Sequence, residues 1–271
     1  MRLYTIILLT LILSLSVSTA FAKQGQITCS GSTTVLPIAQ AAAEAFMDKH
    51  PNINISVRGG GSGVGIAALQ NGTVQIANSS RPMKSKEMSA CKSKGINPVG
   101  YAVANDAIAI VVHKSNPVKN LTLKQIKDIY TGKISNWKAL GGPSLPIVVV
   151  SRDVASGTFE DFNEKALGGA KVVASAQLLA SNNAVVSAVA STPGAVGYAG
   201  LGYITDGINV VNVDNITPSE TSAKNGSYQL ARKLYMFTNG KASGDVGIFI
   251  GWLQSAEGQA IVKDQGFIPL D

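Results

Sequence analysis

Three stretches of this chain set glycine and hydroxyl side chains directly ahead of helix-like runs. "CSGSTTVLPIAQ", residues 29–40, places Ser32, Thr33 and Thr34 in a row behind Gly31. "RGGGSGVGIAAL", residues 58–69, brings Ser62, and "SRDVASGTFEDF", residues 151–162, brings Ser156, Gly157 and Thr158. A helix start carries backbone N–H groups without intrahelical partners, and glycine lets the backbone close on a ligand with no Cβ in the way. One such cluster reads as ordinary N-capping. Three of them, if their helix ends converge, form a cage of donors for a tetrahedral oxyanion, with Ser and Thr hydroxyls rotating to the geometry the anion demands.

Arg152 supplies the charge that donor-only clusters lack. It lies four residues before Ser156 with Asp153 beside it, so one loop can present a guanidinium fork and a helix end to the same ligand, with the carboxylate holding the fork in place. The plainer reading is a surface ion pair with Asp153. "NSSRPM", residues 78–83, adds the Ser79 and Ser80 hydroxyls, and Arg81 as a second cation or a brace at the rim. "GGGSGVG" is neither a dinucleotide fingerprint nor a P-loop, and Ser62 is not in a G-x-S-x-G elbow. His50 and His113 are the only histidines. Neither has a second His, a Cys or paired carboxylates at metal-like spacing, so hydrolytic triads and metal chemistry have little material, and no cofactor is expected.

The elements that must position these residues alternate from the N-terminal side. Strands are expected at 26–29, 53–57 and 74–77, and helices at 35–49, 64–70 and 84–94. "DAIAIVVH", residues 106–113, has the β-branched density of a core strand. Helices follow at 122–130, 158–167 and 184–190, with a strand at 147–150. "GAVGYAGLGY", residues 194–203, reads as a strand entering a tight bend. Residues 228–237, 245–254 and 256–263 read as helical. This βα repetition predicts an α/β fold with a parallel or mixed sheet covered by helices. No Pro/Ser/Thr linker divides the chain. Two domains would therefore be joined by ordered segments, near 104–107 and 195–205, one domain being built from both chain ends.

Residues 1–22 have the form of a secretory leader: Arg2, an apolar run from Leu3 to Val17, and Ala20-Phe21-Ala22 as a cleavage site. An exported protein starting at Lys23 is expected. The formal net charge is +7, which suits an anionic partner or a membrane surface. No run of Lys and Arg is dense enough for a nucleic-acid patch, so no nucleic acid is expected. Cys29 and Cys91 are the only cysteines, read equally as one bridge or as two buried thiols.

Together these motifs resemble the phosphate-binding proteins of bacterial phosphate ABC transporters, in their short form. "GSTTVLPI", "GGGSGVGI", "NSSRPM", "NDAIAIVV", "LTLKQIKDIYTGKISNWKALGG", "SRDVASGTFEDF" and "GAVGYAGLGY" occur in the family's order across most of residues 26–203. The resemblance implies a periplasmic binding protein fold: two α/β lobes with two crossing segments and a ligand cleft between them. Lobe I would hold 23–105 plus 197–271, and lobe II 106–196. It also implies phosphate ligands at Ser32, Thr33, Thr34, Ser62, Ser80, Arg152, Ser156, Gly157 and Thr158. Long-form members carry an aspartate at the position of Ser80, which accepts the proton of hydrogen phosphate. Asp106, at the expected crossing, is the candidate replacement. Val154 and Ala155 stand where the family often has an acidic residue and glycine, leaving Asp153 as the orienting group.

The function this implies is capture of inorganic phosphate by a periplasmic monomer that delivers it to a membrane ABC permease, with no chemical turnover. Sulfate, molybdate or another oxyanion is the alternative ligand. A secreted phosphatase and a surface adhesion protein are the alternatives of other classes.

Overall fold

The computed structural model describes residues 25–271, and the expected leader lies outside the described residues. From Gly25 the chain runs β1 (Gly25–Gly31), α1 (Leu36–Lys49), β2 (Ile53–Arg58), α2 (Ser62–Gln70), β3 (Ile76–Ser79) and α3 (Ser85–Ser93). β2 and β3 flank β1, all parallel, as crossover helices require. The long strand β4 (Pro98–His113) follows, then β5 (Asn120–Leu121), α4 (Leu123–Tyr130), β6 (Val148–Arg152), and α5 (Gly157–Phe162) continued by a π turn at Asn163–Leu167. The remainder is β7 (Gln177–Leu179), α6 (Asn182–Ser191), β8 (Ala195–Gly200), β9 (Ile208–Val213), α7 (Glu220–Lys224), β10 (Ala231–Asn239), α8 (Gly244–Leu253) and α9 (Ala256–Asp264).

β4 is the seam of the molecule. Its residues 98–107 pair antiparallel with β10, whose other edge pairs with β3. Its residues 108–113 pair with β8 and β9, and β8 leads on to β6 and β7. One hydrogen-bonded path thus runs through both strand groups because they share this strand. From Asp106 to Val112 every residue is buried, the continuous apolar pattern of a strand covered on both faces. Successive side chains point to opposite faces: Ile108 and Ile110 join a cluster with Trp137, Phe162 and Tyr198, while Ala109 and Val111 pack against Val185 and Val189 of α6. Ahead of the seam, Val103 belongs with Ile27, Phe46, Leu234 and Phe249 in a separate core.

The structure corrects two readings. Residues 228–237, read as a helix, hold the first part of β10. Arg232 and Leu234 point inward with Lys233 between them exposed, a period-2 alternation that outweighs the helix propensity of Leu, Lys and Met. The pairing also returns to the first strand group at β10 rather than at 197, since β8 and β9 both remain on the second half of β4. Strands β5, β7 and β9 and the first half of β4 had no counterpart in the sequence reading. The cysteines are two buried free thiols, and burial pushes Cys29 up to about 12.

Candidate anion-binding site

The opening motif folds around Gly31, whose φ of +136° only glycine adopts readily; a Cβ there would lie 2.2 Å from the Asn78 carbonyl. Ser32 bonds that same carbonyl through its N–H at 2.8 Å, and its Oγ accepts the Thr34 and Val35 N–H groups at 3.1 and 3.3 Å. Ser32 therefore caps the turn that leads into α1. Ser156 does the same for α5, accepting the Phe159 N–H at 3.1 Å. For these two hydroxyls, capping accounts for the bonds they make.

Thr33 and Thr34 are engaged differently. Thr33 Oγ1 accepts from Arg152 Nη2 and from Asn182 Nδ2, both at 3.2 Å. Thr34 Oγ1 accepts from Asn182 Nδ2 at 3.0 Å and Arg232 Nη2 at 3.3 Å, and lies 2.9 Å from Thr158 Oγ1. The Thr33 carbonyl accepts the Tyr203 hydroxyl. Ser62, at the head of α2, accepts the Ser80 N–H at 3.0 Å and lies 3.3 Å from Ser80 Oγ. Gly157 packs on this pair so closely that a Cβ would fall 2.3 Å from Ser62 Oγ. Gly63 N–H donates to the Ala155 carbonyl at 3.0 Å, tying the α2 and α5 starts together. The starts of α1, α2 and α5 thus converge, and the α6 start joins them through Asn182.

Of the two arginines expected here, Arg152 reaches the site and Arg81 does not, while Arg232 joins it unforeseen. Arg152, at the end of β6, is 1% exposed; its Nε donates to the Leu179 carbonyl at 2.9 Å and its Nη2 to the Ala180 carbonyl at 3.0 Å. Burial pulls the guanidinium below its ordinary value, and the neighbouring Arg232 charge adds to the pull. Arg232 faces Asp106 directly across the β4–β10 ladder and donates to its Oδ2 at 2.9 and 2.8 Å. Asp106 is fully buried, and its Oδ1 accepts the Leu201 N–H at 3.0 Å. Arg81 points elsewhere: it forms a fork with Glu87 at 2.8 Å for both bonds and also reaches Glu160. Asp153 caps its own loop through the Ala155 N–H at 2.9 Å, so the Arg152 fork is oriented by two carbonyls instead.

The sum of these contacts is a buried surplus of positive charge. Of the two guanidinium groups only Arg232 is paired with a carboxylate, Asp106, and Arg152 Nη1 and Arg232 Nη1 are both buried without a hydrogen-bond partner. Around them stand the hydroxyls of Thr33, Thr34 and Thr158, each 7% exposed or less. A buried donor without an acceptor is costly, and an uncompensated buried charge more so. A small oxyanion satisfies both. Sequence reasoning missed Asn182, which follows the N-cap Ser181 in the same hydroxyl-before-helix pattern but without a glycine. It missed Arg232 because that segment read as helical.

Residues 16–257 match the family described as the PBP superfamily domain. The phosphate-binding protein PstS of Bacillus subtilis is 37% identical over 248 residues, covering 91% of this chain and 81% of the relative. PstS of Pseudomonas aeruginosa is 30% identical over 274 residues, covering 93% and 85%. A substrate-binding protein of Clostridium perfringens assigned to phosphate ABC transport, solved with bound phosphate, superposes with a TM-score of 0.85 at 37% identity, over 91% of this chain and 100% of that one. An ABC-type phosphate transport receptor from Vibrio cholerae gives 0.74 at 31% identity, over 90% and 100%. With this fold and these relatives, the chain belongs to the PBP superfamily and, within it, to the family of bacterial phosphate-binding proteins.

Proposed function

We propose that this protein is the receptor of a phosphate ABC transporter: it is exported, captures inorganic phosphate in the cleft between two lobes, and hands it to a membrane permease. The observation that carries this reading is the pair of buried, unpartnered guanidinium nitrogens of Arg152 and Arg232 among hydroxyl donors. Hydrogen bonds from such charged donors contribute about 1.5–3 kcal/mol each, net of the water they replace. The ligand set is Thr33, Thr34, Ser62, Ser80, Arg152, Gly157, Thr158 and Arg232, with Ser32 and Ser156 shaping the helix starts. No bond is made or broken: His50 stacks on Phe46 and His113 bonds Ser115, so neither serves a site serine as base.

The strand pairing supports lobes of 25–107 with 231–271, and of 108–230, hinged at the seam in β4 and at the entry to β10. Closure of the two over the ligand is the hinge motion of this fold. The protein works as a periplasmic monomer; no described helix is long and apolar enough to cross a membrane. Asp106 acts by holding Arg232 rather than by meeting the ligand: it is fully buried, both bonds to Oδ2 come from that guanidinium, and three of its roughly four acceptor positions are filled. The proton of hydrogen phosphate goes to the Ser62–Ser80 pair. That same engagement of Asp106 favours, as a second reading, sulfate or molybdate, which need no proton acceptor. Calorimetry on residues 23–271 at pH 7 decides between them: phosphate is expected to bind one-to-one and more tightly than sulfate or molybdate. Absence of phosphate binding, or tighter sulfate binding, would overturn the assignment.

A further inference from the structure

The direction of the hydroxyls in this pocket follows from donor and acceptor counting. A hydroxyl has one proton and two lone pairs, and arginine and backbone N–H groups only donate. Asn182 is fully buried, and one end of its amide faces the Gly200 N–H at 3.3 Å. That end must be the carbonyl, since an NH2 there would meet another donor. Its NH2 is thereby turned toward Thr33 Oγ1 and Thr34 Oγ1, at 3.2 and 3.0 Å. Arg152 fills the other lone pair of Thr33, and Arg232 that of Thr34. With both lone pairs taken, each threonine can only donate. The Thr34 proton then runs to Thr158 Oγ1 at 2.9 Å, which leaves the Thr158 proton to be donated onward.

Resting on phosphate as the ligand, we infer that Asn182 is a positioning residue that fixes the polarity of the site at Thr33 and Thr34: it makes both hydroxyls donor-only, so hydrogen phosphate cannot enter with its protonated oxygen against them. The directions that stay open lie at the Ser62–Ser80 pair and at Thr158, because Ser62 has one lone pair left after accepting the Ser80 N–H and Thr158 one left after accepting the Thr34 proton. Asn182 thus governs specificity without touching the anion.

Asn182→Asp tests this with the shape kept. The carboxylate still accepts the Gly200 N–H, but its other oxygen draws the Thr33 and Thr34 protons toward itself and frees a lone pair on each threonine. Calorimetry with phosphate and sulfate at about pH 9, where both anions carry two negative charges and phosphate still holds one proton, should show both weakened, by about a hundredfold, through the added negative charge. The phosphate-to-sulfate affinity ratio should nevertheless rise about fivefold, as the reversed hydroxyls accept the one proton that sulfate lacks. A structural or purely electrostatic role weakens both anions alike, and an unchanged ratio overturns the inference. Neutron diffraction on the wild type, deuterated and free of phosphate, covers the case of a variant that fails to fold. The Thr34 deuteron should lie on the line to Thr158 Oγ1, and a Thr33 or Thr34 deuteron directed at Asn182 sinks the idea. Failure of the phosphate assignment itself would appear separately, as a wild-type protein that gives no phosphate isotherm.

Discussion

Arg81, two residues past β3, and Arg152, the last residue of β6, stand at similar corners ahead of a helix, and they are 3% and 1% exposed. Their surroundings differ in one respect. Arg81 is forked onto Glu87 and also meets Glu160, so its charge is cancelled within the protein. Arg152 is held by two backbone carbonyls and a threonine hydroxyl, which orient the guanidinium without neutralising it. Arg232 lies between these extremes, with one carboxylate and one unpartnered nitrogen. Burial alone does not make an arginine a ligand. What an anion can use is the charge that the protein leaves uncompensated.

The sharpest way to break this ordering is to remove each guanidinium in turn. Arg152→Ala should weaken phosphate binding by about thirtyfold or more, corresponding to roughly 2–5 kcal/mol of charge-assisted bonding in a closed site. Arg81→Ala should cost less under identical conditions, because that side chain acts on binding only through closure, by way of its contact with Glu160. Calorimetry on folded variants reads both. Equal losses would mean that the two corners do not differ as described.

The intermediate case is tested through its carboxylate. Asp106→Asn leaves Arg232 buried without its counter-charge, which should destabilise the phosphate-free protein by about 3 kcal/mol. Saturating phosphate should restore more stability to the variant than to the wild type, since the anion supplies the missing charge. Thermal melts with and without phosphate give the answer. If Asp106 met the ligand proton itself, the phosphate-to-sulfate ratio would also fall; it is expected to hold.

The same contrast explains what the sequence disclosed. The glycine and hydroxyl clusters were legible because a helix start with small residues has a local signature, and the structure does bring Thr33, Thr34, Ser62, Gly157 and Thr158 together. The identity of the carboxylates facing each arginine was not. Glu87 and Glu160 reach Arg81 from different helices, and Asp106 reaches Arg232 across a strand ladder 126 residues long in sequence separation. Such pairings are set by topology. The helical reading of 228–237 hid that ladder, and the expected partnership of Arg152 with Asp153 failed because the aspartate capped its own loop. Core strand 106–113 was legible from its apolar run, whereas β5 and β7, short and lying away from the seam, lacked one.

Glu160 offers a smaller effect that acts on closure. It projects from α5, on the second side of the seam, to Arg81 and Lys84 on the first, with the Lys84 bond at 2.6 Å. Glu160→Gln should therefore favour the open form and lower apparent phosphate affinity about threefold to tenfold, in proportion to the closed population. Most of the change should appear as faster dissociation in stopped-flow experiments, and raising the salt should narrow the gap to wild type. Identical dissociation rates at low salt would show that this ion pair plays no part in holding the lobes.

The smallest expected effect belongs to Glu87, whose partner Arg81 and capping contact with Lys84 lie on its own side of the seam. Burial works to raise the Glu87 carboxyl, but the Arg81 bonds and the Lys84 N–H outweigh it and hold the group below its ordinary range. A carboxylate lowered in the folded state contributes stability that is fully present above its unfolded value, about 4.3. That contribution is lost as pH falls through the folded value. Glu87→Gln should therefore lower stability to urea at pH 7 while flattening the decline of stability on the acid side. The variant and wild-type curves should approach each other as the pH drops below about 4. Parallel curves across that range would mean that Glu87 is not the group compensating Arg81, and the difference between the two arginine corners would then rest on Glu160 alone.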